Sequence, residues 1–204
     1  MTVTTIDADI AANKTVYSTN AVYATARTTS SAIYTTEYRL GQYGTPYQCY
    51  RFGLKFDTSS IPDTDDVSAV AMKLAVLNDS SAADFDINIV SCDWSGQDPL
   101  DAANREATFD AILAASTEAL WRNTSGIGTG TYYTSAALTP ARVNKTGYTY
   151  YGIISAKDQA ATAPTGGEYI NFNIVAMKPQ LVITHAPAPS SGPQVVYLSD
   201  YGII

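Results

Sequence analysis

The sequence predicts an all-β protein: a single jelly-roll-like antiparallel β-sandwich with one short inserted helix and extended N- and C-terminal arms. Three observations carry the prediction. Tyr (15 residues), Thr and Ser are abundant and charged residues make up only 15%, a mixture that suits half-buried pleated strands. Period-two alternation recurs between turn clusters of Pro, Gly and Asp. The 204 residues suffice for one domain with a well-buried core and hold two only with difficulty.

Residues 1–37 read as an N-terminal β-rich segment or first strands, with short runs at Thr2–Ile6, Thr15–Tyr17, Val22–Ala26 and Ala32–Tyr34. The sandwich proper covers 38–185. Its clearest strand is "YQCYRFGLKF" from Tyr47 to Phe56, where Tyr50, Phe52, Leu54 and Phe56 alternate with Arg51, Gly53 and Lys55, placing one face in a core. "DTSSIPDTDD" then stops the strand. Val70, Met72, Leu74 and Val76 line one face of the next strand, and Phe85, Ile87 and Ile89 one face of the strand after it.

Asp98–Leu120 breaks the pattern. Asp98 as cap, Pro99 in the first turn and Ala107, Ile112, Leu113 and Ala115 predict the one helix. "NTSGIGTGTYY" is a flexible loop, Asn144–Gly147 turns the chain into "YTYYGIIS", and "YINFNI" and "KPQLVITH" supply the closing strands. Residues 186–204 form a Pro-rich linker and a strand-like arm.

The net charge of −7 argues against nucleic acid and anionic membranes as partners, since phosphate binding needs clustered Lys and Arg. "MTVTTIDADIAANK" does not have the basic, then apolar, pattern of a secretory signal. No run approaches the ~18 apolar residues of a membrane span.

Two stretches carry a family resemblance. "YRFGLKFDTSSIP" followed by "VSAVAMKLAVLN", and the closing "KPQLVITH", resemble DNRLRE-type jelly-roll domains over about residues 38–185. The naming hexapeptide is absent. The resemblance implies a jelly roll of the kind found in tailed-phage virion proteins and in surface or carbohydrate-binding proteins.

The residues favour a non-enzyme with no cofactor. Asp84 and Asp86 share a strand face, as a solvated strand also arranges by default. The single histidine, His185, ends a strand beside proline, where an exposed structural role is expected rather than a triad or metal site. "PDTDD" at 62–66 and "NDSSAADFD" at 78–86 hold oxygen ligands for Ca²⁺ but do not follow the EF-hand spacing, so solvated turns are expected. Cys49 and Cys92 are expected to be buried and reduced, with pairing left open. The sequons at Asn13, Asn78, Asn123 and Asn144 are expected unmodified.

Two groups of side chains remain as binding candidates. Tyr132, Tyr133, Tyr148, Tyr150 and Tyr151 suit a protein interface or a sugar-stacking platform. Val195, Tyr197, Leu198, Tyr201, Ile203 and Ile204 give the C-terminal arm an apolar strand for a partner. With the resemblance, these support a structural virion protein, assembled in the host cytoplasm: a capsid decoration or tail/fibre subunit. Its partners would be itself, as a trimer, and virion proteins such as a major capsid protein. The alternative is a carbohydrate-binding or surface-adhesion module with a glycan partner.

Overall fold

The computed structural model describes residues 1–34 and 38–189. The elements run β1 (Thr2–Asp7), β2 (Lys14–Asn20), α1 (Tyr23–Thr28), β3 (Ala32–Tyr34), β4 (Arg39–Tyr43), β5 (Tyr47–Asp57), β6 (Asp65–Asp79), β7 (Asp86–Val90) and α2 (Arg105–Ala114). They continue with β8 (Thr117–Asn123), β9 (Tyr132–Thr134), β10 (Tyr148–Ser155), α3 (Ala156–Gln159), β11 (Gly167–Phe172) and β12 (Gln180–Pro187). Among the described residues all pairings between these strands are antiparallel, and the fold is an all-β sandwich, as the sequence predicts.

The long strand β6 links the two layers. Its first part pairs with β12, which carries β1 on its other edge, and its last part pairs with β11. From β11 the second layer continues through β4 to β5. One edge of β5 takes β2; the other takes β4 at Gln48–Tyr50 and β10 at Phe52–Asp57, and β10 leads on to β7 and β8. The N-terminal run is therefore the sandwich's first strands, with Thr2–Asp7 in register with His185–Gln180. The predicted C-terminal arm, with Val195, Tyr197, Leu198, Tyr201, Ile203 and Ile204, lies outside the described residues.

Alternation found the main core correctly. Phe52, Leu54, Phe56, Val70, Met72, Leu74, Val76, Phe85, Ile87 and Ile89 are all buried in one cluster between the layers. The opposite face of β5 is buried too, under a second cluster containing Cys49, Trp94, Phe109, Ile112 and Ile154. Two glycines facing each other across β5 and β10, Gly53 and Gly152, let that cover approach the sheet. A Cβ on Gly152 would lie 2.8 Å from Val90 Cγ2 and 2.9 Å from Ile112 Cγ1, and one on Gly53 3.2 Å from the Trp94 ring.

Three expectations need correction. Val22–Ala26 was expected as a strand, but Tyr23–Thr28 is helical; Asn20 Oδ1 accepts from the Val22 amide just before it, and Ala26 is buried. The expected helix over 98–120 shrinks to Arg105–Ala114, packed through Thr108, Phe109 and Ile112, while exposed Ala107 takes no part. Its last residues instead form β8, because pairing with β7 and burial of Ala119 and Trp121 override helix-prone Glu, Ala and Leu. With α3, the described residues carry three short α-helices rather than one.

A buried ion pair ties the helices to the sheet. Arg51 is 0% exposed on β5. Its Nε donates to Asp158 Oδ2 at 2.8 Å, Nη2 to Asp158 Oδ1 at 3.1 Å and to the Arg27 carbonyl at 2.7 Å, and Nη1 to the Phe109 carbonyl at 2.8 Å. The guanidinium also lies 3.6 Å from the Phe109 ring centre. Replacing one partner strands a charge in low dielectric, so Asp158→Ala is expected to lower the unfolding free energy by about 3–5 kcal/mol. Urea denaturation checks this; a loss below about 1 kcal/mol, the range of surface pairs, would contradict it.

Candidate functional site: an aromatic cleft and an apolar groove

Of the five tyrosines named from sequence, only Tyr148 and Tyr150 meet at a cleft. They sit two apart on β10, so both point to the helix-covered side of the sheet. Asp93, Ser95, Ala141, Arg142, Asn144 and Thr149 complete a cleft of about 290 Å³. Tyr148 is 41% exposed. The Lys55 ammonium lies 4.0 Å from its ring centre and 2.6 Å from Asp98 Oδ2. Asp98 also accepts the Tyr150 hydroxyl at 3.0 Å, so it ties Tyr150 to Lys55 rather than capping a helix.

Two charge pairs frame this cleft. Burial pulls the Lys55 pKa down, but Asp98 and Asp9 outweigh it, and the ammonium ends above its ordinary value. Burial and the Asp98 carboxylate push the Tyr150 phenol up. Arg142 Nε is 3.3 Å from Glu118 Oε2, and Nη2 donates to the Tyr150 carbonyl at 3.3 Å. Charged groups held in these pairs orient polar side chains around an exposed ring, as a polyhydroxylated ligand requires.

The other three tyrosines go elsewhere. Tyr151 faces the main core and is fully buried, which removes it from any surface platform. Tyr132 donates to the Lys178 carbonyl at 2.9 Å, and Tyr133 accepts from the Gly128 amide at 2.8 Å beneath Arg122. Both are half-buried on β9, which pairs with β6.

Sequence reasoning missed a larger aromatic group. Tyr34, Tyr17, Tyr50 and Tyr169 run across β3, β2, β5 and β11, with Tyr17 and Tyr34 stacked at 4.3 Å between ring centres. Arg39 lies 5.2–5.7 Å from three of these rings. Tyr50 and Tyr169 flank Gly41 on β4, where φ is 118° and a Cβ would collide with the Glu168 carbonyl oxygen and lie 3.0 Å from Phe85 Cζ. The signal was the repeated placement of Tyr two residues from Thr or Ala in the first strands, but pairing partners decide which rings touch.

Sequence also gave no hint of an apolar groove of about 400 Å³ at the last turn of β6 and the end of β11. Tyr38, Leu77, Phe172, Ile174, Val175 and Ala176 line it, with Asn171 and Asn173. Leu77 is 58% and Val175 83% exposed. The buried Oδ1 of Asn171 has no hydrogen-bond partner among the described residues.

The remaining candidates are structural. His185 is 5% exposed, not the exposed residue expected from its place in the sequence. Its Nδ1 lies 2.6 Å from Asp65 Oδ2 and its Nε2 2.9 Å from Thr4 Oγ1, so it pins β1 to β6 across β12. Lys145 Nζ donates to the Asp63 and Asp65 carbonyls, placing an ammonium against the 62–66 loop. Asp79, Asp84 and Asp86 accept from Ser81, Thr124 and Asn123, each bond tying a turn or a loop. Among the described residues no three His, Cys, Asp or Glu side chains gather as a metal site needs, and no helix is long and apolar enough to cross a membrane. Asn13 is wholly buried, accepting from the Lys55 amide, so its sequon is closed in the folded protein. No protein-family model and no curated protein matches the chain.

Cys49 and Cys92 are both free and buried. Burial pushes each thiol up to about 12, and the phenols of Tyr23 and Tyr50 likewise. These groups keep their protons in the folded state where the unfolded chain releases them. Their contribution is intact below the unfolded thiol pKa near ~8.5 and is lost as pH rises toward 12. Unfolding free energy should therefore fall between pH 9 and 11, by up to about 1.4 kcal/mol per pH unit for each buried thiol. Urea titrations across that range check it, and a flat profile would refute it.

Proposed function

We propose that this chain is a structural subunit that acts through protein–protein contacts. At finer grain it is a virion protein of a tailed phage or similar virus, a capsid decoration or tail/fibre component that assembles with itself and with other virion proteins. The observation that carries the coarser reading is the apolar groove with Leu77 and Val175 at its margin. Exposed apolar surface concentrated at one concave place is a feature of interaction sites, whereas scattered single residues are not. The finer step rests on the DNRLRE-type resemblance of residues 38–185 and is an analogy of fold and family.

Electron microscopy of the purified protein, alone and with the products of neighbouring genes, tests the reading. Regular particles, filaments or density on a capsid are expected. Leu77→Asp and Val175→Asp are expected to weaken assembly by at least about tenfold each, while the melting temperature of the subunit stays within a degree or two because both side chains are exposed before assembly. Unaltered assembly in both variants would remove the groove from the contact.

The cleft around Tyr148 favours a second reading, a carbohydrate-binding module. An exposed ring among Asp93, Ser95, Asn144 and Arg142 suits a pyranose, whose apolar face stacks on the ring while its hydroxyls meet the amide, carboxylate and guanidinium. On this reading, glycan-array binding by the isolated protein is lost in Tyr148→Ala. An array without hits would leave the assembly reading alone.

A further inference from the structure

We propose that the groove at Leu77 and Val175 receives the C-terminal segment Val195–Leu198 of a second copy of this chain. The proposal rests on the assembly reading above and names its contact. Where the described chain ends relative to the groove is the first argument. Pro187 pairs with Asp65, at the start of β6, whereas Asn173 in the groove wall donates to the Ala75 carbonyl and Leu77 lies near the end of that strand. Asp65 and Leu77 are thus about 40 Å apart along β6.

The strand direction adds to that distance. β12 runs from Gln180, opposite Lys73, to Pro187, opposite Asp65, so the chain leaves it heading away from the groove. Val195 and Leu198 follow Pro187 by stretches that span at most about 28 and 39 Å when fully extended. Reversing direction uses a turn of about four residues, which leaves these side chains short of their own groove. A second copy has no such limit, and exchange of tails between identical subunits closes into an oligomer.

The chemistry of the two surfaces matches. The groove offers an apolar floor from Tyr38, Phe172 and Ile174, with the amides Asn171 and Asn173 in its wall. An extended peptide presents alternate apolar side chains and a row of backbone N–H groups, the two things such a groove takes. In "QVVYL", alternation puts Val195 and Tyr197 on one side. Neither the groove lining nor Gln194–Ser199 carries a charge, so the contact itself brings no like charges together.

Full-length variants test this. One carries a blocked groove (Leu77→Asp with Val175→Asp), the other a blocked tail (Val195→Asp with Tyr197→Asp), and light scattering after gel filtration reads their mass. The parent is expected to assemble, each variant alone to be monomeric, and an equimolar mixture to recover a heterodimer, since one intact groove and one intact tail remain. A tail-blocked variant that assembles like the parent overturns the proposal while sparing the assembly reading. A mixture that stays monomeric also overturns it.

A second measurement holds if the parent proves monomeric, which would count against self-assembly. A labelled peptide of residues 190–204 is titrated onto the full-length tail-blocked variant. Saturable binding that weakens about tenfold or more when Leu77→Asp and Val175→Asp are added supports the docking, and absence of binding overturns it. A Leu77→Cys, Tyr197→Cys variant that cross-links within one chain overturns the exchange between copies.

Discussion

The Arg51–Asp158 pair is the constraint on which the rest of this sandwich depends. A strand in a two-layer sandwich ordinarily turns one face to water. Here the central strand β5 is covered on both faces, and the second cover is built from three short helices. Helices of this length are marginal alone, so tertiary contacts must hold them. Arg51 supplies those contacts from one point: it bonds the carboxylate on α3, the carbonyl of Phe109 on α2 and the carbonyl of Arg27 on α1. Arg27 returns to Asp158, its Nε 3.3 Å from Oδ1, so the charge of the carboxylate is shared by two cations. The desolvation cost of burying these groups is offset because both carboxylate oxygens and all three guanidinium nitrogens have partners.

That clamp sets what the sheet beneath must look like. Phe109 stacks on the guanidinium and Ile112 follows one turn later, so α2 lies flat on β5 and β10. Side chains at the crossing would hold it off. Gly53 and Gly152 face each other at that place, with Trp94 filling the space over Gly53 and donating to the Tyr151 carbonyl at 3.2 Å. The pairing of small and large residues across the interface gives density that neither sheet nor helix could reach with uniform side chains. It also explains the fate of Tyr150, whose ring edges against Trp94 while its hydroxyl reaches Asp98. The cleft is thus an outgrowth of the same packing that seats the helices.

Much of this architecture was legible in the sequence, because period-two burial leaves its mark directly in residue order. The residues that β5, β6 and β7 turn to the main core follow alternation, although β5 is buried on its other face as well, and β3 falls on Ala32–Tyr34 as read. What could not be read depends on partners far away in the chain. β8 has helix-prone composition and becomes a strand because β7 offers an edge and the core offers room for Trp121. Arg51 reads as the exposed side of an alternating strand, and partners distant in the chain, Asp158 107 positions away among them, make it interior. His185 is likewise buried by Asp65 and Thr4 rather than by its neighbours. The tyrosines show the limit most plainly: composition announces many half-buried rings, but whether Tyr148 faces a cleft and Tyr151 the core follows from which side of β10 each occupies.

The two surfaces left by this packing differ in the energy they offer. In the groove, covering Leu77 and Val175 yields about 1.5–3 kcal/mol for each side chain fully buried, from surface that the sandwich itself does not need. Around Tyr148 two charge pairs, Lys55–Asp98 and Arg142–Glu118, are already made, so a neutral ligand there gains hydrogen bonds and ring contact. Net charge acts differently on the two. A second copy brought to the groove meets the long-range repulsion of an acidic chain, which 0.15 M salt confines to about 8 Å, while the apolar gain is unaffected by that screening. A neutral sugar meets no such repulsion at all. On the proposed exchange of tails the groove is therefore the surface whose contact strengthens with ionic strength, whereas a neutral sugar at the cleft is indifferent to it.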